Sequence, residues 1–127
     1  MRILVAEDNP AGRELMRDLL ELEGHTVDIA ADGAEALDIA RQTRPDLVLM
    51  DVHLPVLGGI EAIRRMQQDL AMRSIPVIAL TAGVTEAEFQ RAAEAGCVDH
   101  MIKPIDVRKL CGLISKQSQV DRLQETA

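Results

Sequence analysis

Pro45-Asp46-Leu47-Val48-Leu49-Met50-Asp51-Val52-His53-Leu54-Pro55 sets four apolar residues in a row between a proline and an aspartate. A strand with one wetted face alternates apolar and polar residues. Leu47 to Met50 does not alternate, as expected of a central parallel strand covered on both faces. The first polar group arrives where the run ends, at Asp51. Working outward, the same design recurs. Arg2 to Ala6 is closed by Glu7 and Asp8, Val77 to Leu80 by Thr81, and Val98 to Ile102 by Lys103. Thr26 to Ala30 sets Val27 and Ile29 against Asp28, which suits a sheet edge with one more exposed face.

Helical patterns separate these runs. Pro10 can open a first helix, whose apolar face is Leu15, Met16, Leu19, Leu20 and Leu22 before Gly24 stops it. Asp32-Gly33 reads as a turn into an alanine-rich helix over 34–42, which Pro45 forbids from continuing. Ile60, Ile63 and Met66 mark a third helix. Thr85 followed by Glu88 gives a capping-box pattern for a fourth, ended by Gly96. Asp106 caps a fifth, with the stripe Val107, Leu110, Cys111 and Ile114. Strand and helix thus alternate five times. The fold class expected is α/β, (βα)5, a doubly wound parallel five-stranded sheet. One domain is expected over residues 1–117. Residues 118–127 are polar and weakly periodic, either a frayed tail or a connector to a further segment.

Composition narrows the function. The net charge of −7 over 127 residues lacks the basic footprint of a nucleic-acid binder. No apolar run approaches the roughly 18 residues of a membrane span. Met1 lies too close to the first strand for a signal peptide, so a cytoplasmic location is the expectation, and a free-standing protein or an N-terminal domain is favoured. Cys97 and Cys111 are the only cysteines, and with His25, His53 and His100 they show no zinc-ligand spacing.

In an open parallel sheet the site lies outside the carboxyl ends of the strands. Glu7, Asp8, Asp51, Thr81 and Lys103 should therefore converge. Crowded carboxylates repel, and a hard divalent cation with oxygen ligands relieves that repulsion. A lysine beside them suits an anionic guest. Acids, hydroxyl and ammonium together read as magnesium plus a phosphoryl group.

These motifs resemble the receiver domain of two-component and phosphorelay response regulators. The resemblance rests on Val5-Ala6-Glu7-Asp8-Asn9, on residues 45–55, on Ala79-Leu80-Thr81-Ala82 and on Lys103-Pro104-Ile105, in that order, and covers about residues 2–117. The early motif and residues 97–104 look most like receivers of hybrid kinases and stand-alone cell-cycle receivers. The resemblance implies a flavodoxin-like sheet of order 2-1-3-4-5. It implies that Asp51 is the phosphoacceptor, taking a phosphoryl group from a histidine kinase or histidine phosphotransfer protein. Magnesium would be held by Asp8, Asp51, Glu7 directly or through water, and the backbone carbonyl of His53. Such an ion takes about six oxygens at roughly 2.1 Å and keeps several waters. Lys103 and the Thr81 hydroxyl would bind phosphoryl oxygens, with the Ala82 amide a further donor. The peptide between Lys103 and Pro104 would be cis, aiming the lysine into the pocket.

Three positions depart from the family pattern. Gly58 stands where an aspartate is common. His100 takes the switch position on strand five, often tyrosine or phenylalanine, so it either turns inward on activation or is a half-exposed strand histidine. His53 and Gly83 occupy positions that tune dephosphorylation in the family. The partners implied are a kinase or phosphotransfer protein and a downstream protein target, with no direct nucleic acid and no membrane. The chain would be a monomer or a weak phosphorylation-dependent dimer. It would be no enzyme beyond magnesium-dependent self-phosphorylation and autodephosphorylation. The rival from the enzyme class, an aspartyl-phosphate hydrolase of the haloacid dehalogenase type, wants a second aspartate two residues after its nucleophile, where this chain has His53. A receiver fragment of a larger regulator is the other alternative.

Overall fold

Strand and helix alternate along the chain in a computed structural model, which describes residues 1–82 and 86–126, with side chains as far as Ser118. The order is β1 (Arg2–Ala6), α1 (Pro10–Leu22), β2 (Thr26–Ala30), α2 (Gly33–Thr43), β3 (Leu47–Asp51), α3 (Gly59–Gln68), β4 (Val77–Thr81), α4 (Glu86–Ala95), β5 (Asp99–Ile102) and α5 (Val107–Thr126). The sheet runs β2-β1-β3-β4-β5 and all four pairings are parallel.

The core divides by strand alternation. Leu4, Ala6, Val48, Met50 and Val77 point to one face, where they meet Leu37 and Ala40 of α2, Ile63 and Met66 of α3, and Ala95 of α4. Ile3, Val5, Leu47, Leu49, Ile78 and Leu80 point to the other, against Met16 and Leu20 of α1 and Leu110 and Ile114 of α5. Every residue of β3 and β4 is buried. The unbroken apolar runs are the signature of that two-sided burial.

Both central strands run one residue further than the apolar pattern. Asp51 pairs with Leu80, and Thr81 with Ile102. The ladder continues because Val52 N donates to Leu80 O at 2.9 Å and Lys103 N donates to Thr81 O at 2.7 Å. Asp51 and Thr81 are therefore the terminal residues of buried strands, and Lys103 follows directly on β5. β5 begins at Asp99, one residue later than expected.

Helix ends follow the capping rules. The Asn9 side chain accepts from Gly12 N at 3.1 Å, with Pro10 opening α1, and Gly24 leaves it at φ +92°. Asp32, expected as a turn residue, is the N-cap of α2 and accepts from Glu35 N at 2.8 Å. Asp106 caps α5 through Arg108 N and Lys109 N. Thr85, the first half of the expected capping box, lies outside the described residues. Three apolar residues assigned to inner helix faces point outward: Leu15 is 59% exposed, Leu22 83% and Val107 41%. A helix seats about a third of its circumference on a sheet, so a wider apolar stripe leaves its margins wet. Residues 118–126 continue α5, and they hold neither glycine nor proline to stop it.

Candidate functional site

The carboxyl ends of β1, β3, β4 and β5 meet at one end of the sheet. Glu7 and Asp8 follow β1, and the Glu7 amide still donates to Ala30 O of β2 at 3.0 Å. Glu7, Asp51 and Thr81 are buried, while Asp8 is exposed at the mouth. One carboxylate oxygen from each of Glu7, Asp8 and Asp51 falls within 4.8 Å of the others. Lys103 reaches in from the end of β5. Its Nζ donates to Glu7 Oε2 and to Asp51 Oδ2, each at 2.6 Å. The following peptide, Lys103 to Pro104, is cis. The second oxygen of Asp51 accepts from the His53 amide at 2.8 Å, which brings the His53 peptide beside the acid cluster. Arg13 Nη1 of α1 donates to the Glu7 carbonyl at 2.9 Å.

The electrostatics follow from this packing. Burial raises the Glu7 carboxyl above its usual value, the contact with Asp51 raises it further, and Lys103 only partly offsets them. Burial also pushes Asp51 upward. Its hydrogen bonds from Glu7, Lys103 and the His53 amide outweigh that, and Asp51 lies below its usual value. Burial lowers Lys103, but Asp51 and Glu7 more than restore it, so it lies above its usual value. The packing thus favours a proton on Glu7 over one on Asp51. An oxygen-only set of three carboxylates with a neighbouring ammonium suits a hard divalent cation and an anion side by side.

Residues 3–124 match the profile of the response regulator receiver domain. The chain belongs to this family. It is 41% identical over 105 residues to the polar-differentiation response regulator DivK of Brucella anthropi, covering 83% of this chain and 85% of that one. The receiver domain of a Pseudomonas aeruginosa sensor histidine kinase superposes with a TM-score of 0.85 at 34% identity, covering 91% of this chain and 95% of the other; a magnesium ion is coordinated in its active-site cleft. The chemotaxis protein CheY4 of Vibrio cholerae superposes with a TM-score of 0.85 at 26% identity, over 91% and 96% of the two chains. These likenesses agree with the flavodoxin-like sheet order. Receivers of this kind are signalling proteins.

Glu88, expected as one half of a capping box with Thr85, is buried, and its side chain turns toward the sheet: Thr81 Oγ1 donates to Glu88 Oε1 at 3.2 Å and His53 Nε2 lies 2.8 Å from the same oxygen. The Thr85 half lies outside the described residues. Glu88, Ala92 and Ala95 are the buried residues of α4, spaced four and three apart on its inner face. That spacing was the available signal. His100 lies away from these contacts. It is exposed, and its ring stacks on Phe89 of α4 with centroids 4.4 Å apart. Ala82 follows β4 and is exposed. Gly83 lies outside the described residues. Gly58 takes the N-cap of α3 without a side-chain bond. Cys97 and Cys111 are free, and burial followed by nearby Asp99 raises the Cys97 thiol, which disfavours its thiolate form. Among the described residues, no helix is long and apolar enough to cross a membrane.

Proposed function

We propose that this receiver is a phosphorylation-controlled switch in which Asp51 accepts a phosphoryl group from the histidine of a kinase or histidine phosphotransfer protein. The observation that carries this is the double contact of Lys103 with Glu7 and Asp51 at 2.6 Å, at the ends of three strands. An ionised Asp51 oxygen attacks phosphorus, the bond from phosphorus to the donor's imidazole nitrogen breaks, and an acyl phosphate forms. Asp51 is held ionised and aimed by Lys103 and the His53 amide. Once the phosphoryl group is in place, Lys103 pairs with one of its oxygens, and the Thr81 hydroxyl and Ala82 amide serve the others. Glu7, Asp8, Asp51 and the His53 carbonyl would hold magnesium. That ion supplies charge neutralisation between carboxylate and phosphoryl group.

The output is a change in partner affinity on the face formed by α4, β5 and α5. A groove of about 550 Å³ opens there, lined by His100, Ile102, Pro104, Asp106, Lys109 and Leu113 among others. The downstream target is a protein, in the cytoplasm, and residues 1–117 form the receiver unit, with 118–127 an extension. Switching of this kind works only so far as a partner binds the two states differently. Incubation with acetyl phosphate and magnesium tests the reading: intact mass should show one added phosphoryl group. Rapid turnover of a small phosphoester would instead favour the hydrolase.

Magnesium should stabilise the fold. Three crowded carboxylates bind the ion in the native chain and are dispersed in the unfolded one. Millimolar magnesium is expected to raise Tm in wild type and much less in Asp8→Ala; equal shifts would remove Asp8 from the ligand set. The sign with pH follows from Glu7. A carboxyl raised in the fold above its usual 4.5 stabilises below that value and loses the contribution as pH rises through its raised value. Magnesium competes with that proton, so its Tm shift should shrink as pH falls through the raised Glu7 value.

The behaviour of His100 separates two forms of the switch. If its ring leaves Phe89 and turns inward, its NMR signals shift when beryllofluoride and magnesium mimic the phosphoryl group. That shift is the expected outcome, with His25, in the loop before β2, moving little. Movement of α4 amides with an unchanged His100 ring would mean that the receiver switches without it.

A further inference from the structure

The Thr81 hydroxyl carries one proton, and it is donated to Glu88 Oε1 at 3.2 Å. His53 Nε2 lies 2.8 Å from the same oxygen. Glu88 is thus a single anchor on α4 for two residues that flank Asp51, one at the end of β4 and one in the loop after β3. It is only 7% exposed and shares the inner face of the helix with Ala92 and Ala95. A carboxylate turned toward a sheet is costly unless its acceptor capacity is used. Thr81 and His53 use it.

We propose that Glu88 is a positioning residue that holds the Thr81 hydroxyl against α4, in direct competition with a phosphoryl oxygen on Asp51. The proposal rests on the reading of Asp51 as phosphoacceptor. A hydroxyl with one proton can donate to Glu88 or to the phosphoryl group but not to both. The resting bond, at 3.2 Å, is longer than a short charge-assisted O–H···O contact, so a phosphoryl oxygen brought close can take the proton's bond from it. The phosphoryl group therefore gains the Thr81 bond only by breaking the one to Glu88. That exchange lowers the affinity of the pocket for its anion and releases one of the ties between α4 and the sheet. Glu88 in this way sets both the resting position of α4 and the ease with which phosphorylation moves it.

The test is the affinity for beryllofluoride with magnesium, read from amide NMR titrations. Wild type, Glu88→Gln and Glu88→Ala are compared, each with and without Thr81→Val. Glu88→Ala is expected to bind about tenfold more tightly than wild type, equivalent to ~1.4 kcal/mol. Glu88→Gln keeps a neutral acceptor and should fall between the two. In the Thr81→Val background the same replacements should change affinity by less than about twofold, because the residue they act through is gone. An equal gain with and without the Thr81 hydroxyl overturns the proposal, since removal of a negative charge alone would act in both backgrounds. No gain in a folded Glu88 variant also overturns it. Should Glu88→Ala fail to fold, Glu88→Gln decides by the same comparison. A wild type that binds no beryllofluoride with magnesium removes the phosphoacceptor reading itself, and this proposal with it, before any substitution is made.

Discussion

Asp51→Asn is expected to reduce phosphoryl uptake from acetyl phosphate by at least about a hundredfold, a barrier increase of ~2.7 kcal/mol or more. The amide keeps the side chain's shape, but its single oxygen can accept from Lys103 or from the His53 amide and not from both. It is not an anionic nucleophile, and no other described side chain offers an ionised oxygen held by both Lys103 and a backbone amide. The fold should survive, because Lys103 retains its bond to Glu7. Intact mass of the variant, beside wild type under identical magnesium, measures the effect. Full-yield addition to the variant would move the acceptor elsewhere.

Gly59→Ala should cost about 3 kcal/mol or more and lower Tm by roughly 10 °C. A Cβ at this position would lie 2.0 Å from Asp51 O and 2.8 Å from Asp51 C and Val52 Cα. All three are backbone atoms of a buried strand and its exit, so no flexible side chain can yield. The first turn of α3 would have to lift off the end of β3, breaking the bond from Gly59 N to Val52 O at 3.1 Å. Because Asp51 is the residue pressed upon, phosphoryl uptake should fall with stability. The adjacent Gly58→Ala is the control. Its Cβ would meet nothing nearer than Val52 O at 4.0 Å, and its φ of −61° suits any L-residue. It should change stability by no more than about 0.5 kcal/mol. Equal thermal unfolding of the two variants would show that the close approach of α3 to β3 is not a constraint.

These two glycines mark how far the sequence could be read. The sheet was legible because burial on both faces writes an unbroken apolar run, and Leu47 to Met50 is such a run. The site was legible for a related reason. A buried strand tolerates a polar residue only where it ends, so Asp51 and Thr81 each announced a strand terminus; Lys103 follows an edge strand that already carries Asp99 and His100, so its place rested on the Lys-Pro motif, and the parallel topology put these positions together. What escaped was tertiary. Leu15 and Leu22 belong to the apolar stripe of α1 by spacing, yet the sheet covers only Met16 and Leu20 fully. Glu88 fits a local capping pattern and also sits on the inner face of α4, and local pattern alone does not reveal its contacts with Thr81 and His53. The stack of Phe89 on His100 joins a helix to the neighbouring strand, eleven residues apart, and no periodicity encodes it. The contact between Gly59 and Asp51 likewise exists only once α3 has docked. Helix α5 beyond residue 117 was hidden by composition, because its polar sequence resembles a tail as readily as a solvated helix.

Transfer from a phosphohistidine tests the central claim most directly. A histidine kinase core carrying a radiolabelled phosphoryl group is mixed with the receiver and magnesium, and the label is followed on both chains. The account predicts that label leaves the histidine and appears on the receiver as an acyl phosphate, lost in mild alkali. It also predicts no transfer to Asp51→Asn. Label that remains on the histidine of every donor tried, or that reaches the receiver at an alkali-stable site still present in Asp51→Asn, would contradict it.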